Sequence, residues 1–296
     1  MIEAYLIHLL ILVGIYAILA LSLNLAMGNT GLLNVGHVAF YAVGAYTSAL
    51  LTLNLHFPFW IAIIIAGIFA ALFGLIIAIP TIRLRGDYLA IATLGSAIVV
   101  ENVLRNWTSL TRGPLGLPGI PKPVFFGMQI SGLGYLVLVI VFAAITYFII
   151  NHITKSPYGR VLKAIREDEV AAASLGKNVR KYKTQALVIS AFFAGIAGSL
   201  YAHYISFIDP GTFGILESIL IISMIIIGGL ASTRGAIIGA LILILLPEPL
   251  RFLPIPSFAI GAIRQIIYAA LLVLILIKRP QGIFGEFTKK ENGTWN

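Results

Sequence analysis

A carboxylate and a guanidinium within one apolar segment are the first side chains in this sequence that could do chemistry. Glu101 and Arg105 are four residues apart, a spacing that puts both on one face of a helix with the carboxylate N-terminal. One interpretation is a structural ion pair near the end of the segment, with Arg105 extending toward water. The other is that Glu101 lines a polar path, because ionisable groups among apolar helices usually face the bundle interior or a water-filled cavity.

A second polar group surrounds the stretch AMGNTGLLNVGHVAF (26–40), which contains three glycines. Asn24, Asn34 and His37 lie in or beside this stretch. The glycines could break a helix here and free backbone groups to meet a polar solute. Alternatively, small residues let helices pack closely while asparagine makes hydrogen bonds between them. Asn24, Asn34, His37 and Glu101 are therefore the candidates for a substrate path.

Motifs of common catalytic and metal sites are missing from this sequence. It has no GxxxxGK[ST] phosphate loop, no GxSxG turn and no HxxxH or HExxH pair. Cysteine is absent, which excludes disulfides, thiolate metal ligands and cysteine nucleophiles. The sequence therefore predicts no catalytic residue, no metal site and no cofactor in this chain.

The composition decides which class of protein must position these residues. Of 296 residues, 59% are hydrophobic and only 10% are charged, whereas a soluble chain has roughly 45–50% apolar and about 25% charged residues. A soluble enzyme and a disordered chain are both excluded. The net charge of +9 would suggest nucleic acid in a soluble chain. Here the basic residues lie mostly between apolar runs, so they indicate membrane topology instead.

Nine apolar segments are predicted to form helices in a single all-α transmembrane domain over residues 1–296. The first lacks a basic n-region and is too long for a signal peptide, so it is expected to be retained. The seventh and eighth are short and are joined at GGLASTRG, either as broken helices or as a re-entrant hairpin, so the expected number of spans is eight to ten. The segments cover residues 5–27, 33–53, 60–79, 88–106, 132–150, 184–205, 216–231, 235–247 and 259–277.

The distribution of basic residues predicts the orientation in the membrane. With the N-terminus outside and nine crossings, the inside loops hold 15 of the 20 basic residues. This bias agrees with the positive-inside rule and predicts an N-out, C-in topology. The helices are therefore expected to contact the lipid bilayer.

Two loops are long enough to have a role of their own. The outside loop, residues 107–132, is rich in glycine and proline and is predicted to be a stiff external surface. The inside loop, residues 151–183, starts a helix at Ser156-Pro157 that is expected to continue without a breaker to a C-terminal glycine, Gly176. The helix is amphipathic, and either a partner protein or anionic lipid could contact it.

Five stretches of the sequence resemble a known family of transport proteins, the permease subunits of branched-chain amino acid ABC importers of the LivM type. They cover most of the chain in the order found in that family. The stretches are SLNLAMGNTGLLNVGHVAFYAVGAYTSALL (22–51), RLRGDYLAIATLG (83–95), GPLGLPGIPKP (113–123), the long run from GRVLKAIREDEVAAASLG to AHYISFIDPGTF (159–213) and IIIGGLASTRGAIIGA (225–240).

The resemblance implies an ABC importer permease fold in the cytoplasmic (inner) membrane and several partners. Such a permease pairs with a second, related permease subunit and is driven by two cytoplasmic ATPase subunits, which bind the ATP. An extracytoplasmic binding protein delivers the substrate to the outer face. The solute path lies between the two permeases, and no covalent chemistry occurs in this chain.

The resemblance also implies which residues contact the ATPase. EVAAASLG (169–176) stands where the family has its Glu-Ala-Ala…Gly motif, and the helix around it resembles the coupling helix that seats in the ATPase groove. A third alanine in this stretch leaves the register of the two motif alanines open by one residue. The implied coupling residues are Arg166, Glu167, Glu169, Ala171, Ala172 and Gly176.

Three other functions compete with this interpretation. The first is a permease for urea or short amides, whose subunits are similar. The second is an ion-coupled secondary transporter, which needs ionisable residues at mid-membrane; Glu101 is the only good candidate, with no second carboxylate evident at its depth. The third is a membrane enzyme, for which no polar constellation is evident.

Overall fold

The computed structural model describes residues 2–84, 86–125, 127–248, 257–279 and 281–285. Four basic residues that contribute to the predicted charge bias, Arg85, Arg251, Lys289 and Lys290, lie outside the described residues. Long apolar runs form helices because a helix satisfies its backbone hydrogen bonds within the segment, as the interior of a bilayer requires. The helices are α1 (Ile2–Leu23), α2 (His37–Asn54), α3 (Phe59–Thr81), α4 (Asp87–Asn106), α5 (Thr108–Thr111), α6 (Leu133–Lys155), α7 (Pro157–Glu167), α8 (Glu169–Ser174), α9 (Val179–Ile205), α10 (Ile215–Gly228), α11 (Thr233–Leu245) and α12 (Ser257–Lys278).

Each of the nine predicted apolar segments coincides with one of these helices, namely α1 to α4, α6 and α9 to α12. Five stretches in the described residues are long and apolar enough to cross a membrane. They are Glu3–Gly28, Phe59–Thr81, Asp87–Asn106, Leu133–Lys155 and Val179–Ile205. The chain is therefore a multi-pass helical membrane protein.

Helix α9 is the centre of the packing, with α2 and α3 against it. The contact with α2 is close because glycines face each other. A Cβ atom on Gly44 would lie 2.3 Å from the Cα atom of Gly195, and one on Gly198 would lie 2.2 Å from the carbonyl oxygen of Tyr41. Small residues at such a crossing let the helix backbones approach closely. The resulting van der Waals contact stabilises the pair, because in lipid there is no hydrophobic driving force for helix association.

Helices α10 and α11 form a tight antiparallel hairpin. Gly228 and Gly235 face each other, and a Cβ atom on Gly228 would lie 1.9 Å from the carbonyl oxygen of Gly235. The connection turns sharply, with φ of +113° at Gly229 and +64° at Ala231. Each helix has 14 residues or fewer, so each is roughly 21 Å long or shorter. The structure thus joins the seventh and eighth segments as one hairpin.

The loop at residues 107–132 is held by short strands and by contacts to helix ends. Strand β1 (Leu117–Pro118) pairs antiparallel with β4 (Phe207–Ile208), which follows α9, and β2 (Val124–Phe125) pairs with β3 (Met128–Gln129). The indole Nε1 of Trp60 donates to the carbonyl oxygen of Val124 over 3.1 Å. The loop is therefore anchored at one end of the helix bundle.

Candidate functional site

Helix α7 begins where the sequence predicts. The hydroxyl of Ser156 accepts a hydrogen bond from the backbone N–H of Gly159 over 3.3 Å, and Pro157 occupies the first helical position. A side-chain cap and a proline both suit a helix start, because the first backbone N–H groups have no partner within the helix. The predicted start of the amphipathic helix is confirmed.

The expectation of one unbroken helix from Ser156 to Gly176 is wrong. The helix stops at Glu167, because Asp168 adopts an extended conformation with φ −152° and ψ +107°. Its carboxylate accepts from the backbone N–H groups of Val170 and Ala171 over 2.8 and 3.0 Å and caps a second helix, α8. Aspartate favours such local bonds over a helix interior. The result is a bent pair of helices, named here the α7–α8 hairpin (residues 157–174).

Gly176 closes α8 as predicted. Its φ is +76°, and its N–H donates to the carbonyl oxygen of Ala173 over 2.9 Å, while Lys177 donates to that of Ala172 over 3.2 Å. These two bonds form a Schellman motif, which requires a left-handed residue at this position. No atom lies within 4 Å of where a Cβ of Gly176 would be, so backbone conformation and not crowding requires glycine here.

The α7–α8 hairpin shares a small apolar core with the start of α9. Ile165, Ala172 and Val179 are buried together, with Tyr182 packed against them. Tyr158 donates its hydroxyl hydrogen to the carbonyl oxygen of Tyr182, and burial raises the pKa of Tyr158 to about 12, so this donor keeps its proton. The predicted coupling residue Ala172 is therefore part of this shared core.

The outward face of α8 is apolar. Val170 and Leu175 have exposed fractions of 62% and 77%, and Ala171 and Ala173 are also exposed. Ala171 is thus available for docking, whereas Ala172 is covered. The sequence analysis missed Val170 and Leu175, although two apolar residues beside the predicted motif were a usable signal. The four residues, named here the α8 face, form an apolar patch on an otherwise charged hairpin.

Two charged residues of the hairpin, Arg166 and Glu169, bond other parts of the chain. The Nη1 of Arg166 donates to the carbonyl oxygen of Gly28 over 2.8 Å, and its Nη2 donates to Glu167 over 2.9 Å. Gly28 ends the π-helical turn (Asn24–Gly28) that continues α1. A guanidinium suits this place because the C-terminal end of a helix carries partial negative charge. Arg166 therefore attaches the hairpin to the first helix.

Glu169 also has a partner within the chain. Its carboxylate lies 2.7 Å from the Nζ of Lys183, which belongs to α9 and is buried. The pair holds α8 against α9. Arg166, Glu167 and Glu169 thus position the hairpin, and the exposed α8 face lies on its other side.

Asn24 connects the first helix to the α10–α11 connection. Its Oδ1 accepts from the backbone N–H of Ala231 over 2.9 Å, and its Nδ2 donates to the carbonyl oxygen of Ser232 over 3.0 Å. Asn24 is fully buried. These bonds match the interpretation in which asparagine joins helices.

Asn34 and His37 form a buried network with Ser22. The ring Nε2 of His37 lies 2.8 Å from the hydroxyl of Ser22, and the ring Nδ1 of His37 lies 3.4 Å from the Nδ2 of Asn34. Both residues are at most 2% exposed. The structure thus gathers Asn24, Asn34 and His37 around the end of the first helix, where all three are covered by packed helices.

Glu101 and Arg105 form the predicted ion pair. The distance between the Arg105 Nη2 and the Glu101 Oε1 is 2.6 Å, and the Arg105 side chain is half exposed. Glu101 lies apart from Asn24, Asn34 and His37, on the loosely packed helix α4. The geometry agrees with a structural pair.

A cavity of about 650 Å³ lies between α1, the end of α9 and helices α10, α11 and α12. Tyr16 of α1 and Glu217 of α10 share a hydrogen bond in its wall. Glu248, bonded by Tyr5, also contributes to the wall. Most of the remaining lining is apolar. The substrate-path candidates Asn24, Asn34, His37 and Glu101 are not in this lining.

Glu217 is a second carboxylate in contact with the apolar helices, and it was not among the predicted site residues. The signal was an acidic residue in the second position of the segment predicted at 216–231. In the structure it lies in the first turn of α10, where negative charge suits a helix start. Among the described residues no group of three histidine, cysteine, aspartate or glutamate side chains could hold a metal ion.

Apolar helices, an attached surface hairpin and a partly open, mostly apolar cavity are the features of a multi-pass membrane protein. Residues 5–276 match the family described as the permease component of branched-chain amino acid transport systems. The chain belongs to that family. It is therefore a permease subunit and not an enzyme.

Named relatives agree with the family. The chain is 38% identical over 293 residues to the high-affinity branched-chain amino acid transport permease LivM of Escherichia coli, covering 91% of this chain and 67% of the relative. It is 24% identical to a probable LivM of Methanocaldococcus jannaschii, covering 92% and 91%. It is 27% identical to the permease LivH of Escherichia coli, with the same coverage. No solved structure matches the chain.

Proposed function

We propose that this chain is the membrane-spanning subunit of an ATP-driven importer that carries branched-chain amino acids across the cytoplasmic membrane. The observation that carries the proposal is the family match over residues 5–276. The cavity supports it, because apolar walls with a few polar groups suit a small amphipathic solute. The motif absences agree with a chain whose energy source binds to another subunit.

The proposed topology has nine crossings, with the N-terminus outside and the C-terminus inside. Contacts between predicted loops support it. At the inside end, Arg166 bonds Gly28, and Asn24 bonds the α10–α11 connection at Ala231. Residues 283 and 284 bond the last turn of α10. On the outside end, the 107–132 loop pairs with the residues after α9. In this topology, the two segments of each contact lie on the same side of the membrane.

The α7–α8 hairpin is the proposed ATPase-coupling element. Its α8 face presents Val170, Ala171 and Leu175 outward, and exposed apolar patches mark surfaces for protein partners. When the ATPases close, the hairpin moves with them as a rigid unit. Arg166 then transmits that movement to the end of the first helix through its bond to Gly28.

The proposed complex contains a second, related permease, two ATPases and an extracytoplasmic binding protein. Similarity to both LivM and LivH supports a partner permease of the same family. The anchored 107–132 loop is the proposed contact for the binding protein. The proposed substrate path runs between the two permeases and includes the partly open cavity of this chain, as access alternates between the two sides.

Uptake into vesicles tests the proposed function. The complex of both permeases and the ATPases is reconstituted, supplied with its binding protein, and assayed with labelled leucine or urea with and without ATP. We expect leucine uptake that requires ATP. ATP-dependent uptake of urea alone would identify the short-amide alternative. Leucine uptake by this chain alone, without ATP but with an ion gradient, would show a secondary transporter.

A further inference from the structure

The cavity beside α10 has a charge pattern that points to a particular ligand. Glu217 lies in its wall, together with Glu248, which Tyr5 bonds, and the imidazole of His8, which bonds Tyr204. Among the described residues no lysine or arginine side chain lines it. Carboxylates in a low-dielectric space attract a cation strongly, because Coulomb attraction increases as the dielectric constant falls. The cavity is therefore suited to a ligand with a positively charged group.

Glu217 is the better placed of the two carboxylates. Its Oε1 accepts from Tyr16, which belongs to the facing helix α1. Within the described part of the chain its Oε2 has no hydrogen-bond partner, and the residue is only partly buried. One oxygen thus fixes the orientation of the carboxylate, and the other can accept from a ligand.

The rest of the wall fits a branched hydrocarbon group. Each of the five helices around the cavity contributes at least one leucine, isoleucine or valine side chain to the wall. The volume of about 650 Å³ is within the usual range of roughly 300–1,000 Å³ for a small-molecule site. The apolar lining residues include Leu12, Leu216, Leu220, Ile244, Leu272 and Val273.

We infer that this cavity binds the translocated amino acid, with the Glu217 carboxylate holding its α-ammonium group and the apolar wall holding its side chain. The inference rests on the proposed import of branched-chain amino acids. It names a residue that recognises the ammonium group, which urea and short amides lack. Tyr16 acts as a positioning residue, because its hydroxyl bonds the carboxylate and not the ligand.

The first test measures binding of labelled L-leucine to the purified permease complex in lipid nanodiscs without the binding protein. The variant is Glu217→Gln, which keeps the size and the bond with Tyr16 but removes the charge. We expect the Kd to rise at least tenfold. The matched control is Glu101→Gln, a carboxylate outside the cavity, for which the Kd should stay within twofold.

The outcomes separate this inference from the proposed function. If the complex imports leucine with ATP but Glu217→Gln leaves the Kd unchanged, the assignment of Glu217 is wrong and the proposed function stands. Absence of leucine binding to the unmodified complex would also overturn the cavity as a substrate site. If the complex imports no branched-chain amino acid, the proposed function itself fails.

A second test avoids any change to Glu217. The chain has no cysteine, so Gln265→Cys introduces a single thiol in the cavity wall. We expect leucine to slow its reaction with a water-soluble thiol reagent at least threefold, and 4-methylpentanoate, which lacks the ammonium group, to have no effect. Equal protection by both compounds, or by neither, would overturn the inference. The control is Met128→Cys, 76% exposed on the 107–132 loop, whose reaction rate neither compound should change.

Discussion

The α7–α8 hairpin and the α10 cavity arrange charged and apolar residues in opposite ways. In the hairpin, Arg166 and Glu169 turn inward to partners in the same chain, and apolar Leu175 faces out. In the cavity, apolar side chains surround the carboxylate of Glu217 in the wall. Covering apolar surface favours binding of a protein partner, whereas a carboxylate among apolar side chains favours binding of a group of opposite charge, such as an ammonium.

Helix α1 connects these two regions. Tyr16 of α1 bonds Glu217 in the cavity, and Gly28, at the end of the same helix, accepts from Arg166 in the hairpin. The two residues are 12 positions apart, a separation of roughly 18 Å along a helix. In the proposed function, this segment is the route by which a displacement of the hairpin is passed to the cavity.

The largest expected effect is at the α8 face. Leu175→Asp should lower co-purification of the ATPase subunits at least tenfold, because it puts a charge where an apolar contact is proposed and charge burial is costly. Leu115→Asp is the control, since Leu115 is 81% exposed but lies in the 107–132 loop at the other end. Unchanged co-purification with Leu175→Asp would show that the ATPase binds elsewhere.

The next effect tests the attachment of the hairpin to α1. Arg166→Gln should lower leucine uptake about tenfold while ATPase co-purification stays within twofold, because a charged hydrogen bond worth about 1.5–3 kcal/mol is lost. The measurement is leucine imported per ATP hydrolysed. Arg160→Gln, an exposed arginine on the same helix, is the control and should leave that ratio unchanged. If both variants behave alike, Arg166 does not transmit the movement.

A smaller effect is expected for the ion pair behind α8. Glu169→Ala leaves the buried ammonium of Lys183 without its carboxylate, and loss of a buried partner destabilises the fold. Hydrogen exchange of the α8 amides should speed up about fivefold. A second change, Lys183→Met, should restore protection, because it removes the unpaired charge. If exchange is unchanged in the single variant, the pair does not hold α8 in place.

The smallest effect is expected at Glu101. Exposed i,i+4 ion pairs contribute about 0.3–0.5 kcal/mol, and this pair includes a half-exposed arginine. Glu101→Gln should therefore keep the rate of leucine uptake within twofold of the unmodified complex. A loss of tenfold or more would return Glu101 to the substrate path and would weaken the contrast between α4 and the cavity.

The nine apolar helices and the ends of the α7–α8 hairpin could be predicted from the sequence. Helix formation in an apolar run depends on local composition. The caps at Ser156 and Gly176 depend on residues within four positions of them. The helix break at Asp168 is also local, but strong helix formers on both sides of Asp168 favour a continuous helix. The break occurs because the Asp168 carboxylate bonds two backbone N–H groups of the following helix.

The partners of the polar residues were decided by tertiary structure alone. Arg166 bonds a residue 138 positions away, and Asn24 bonds one 207 positions away. Glu217 is bonded by Tyr16, 201 positions earlier, and lies in a cavity wall formed by five helices. The sequence alone determined which segments form apolar helices, because helix formation in an apolar run follows from local composition. Which polar groups then face a partner, a core or a cavity depends on how the helices pack. That packing brings together residues that are far apart along the chain, so local sequence patterns do not predict their contacts.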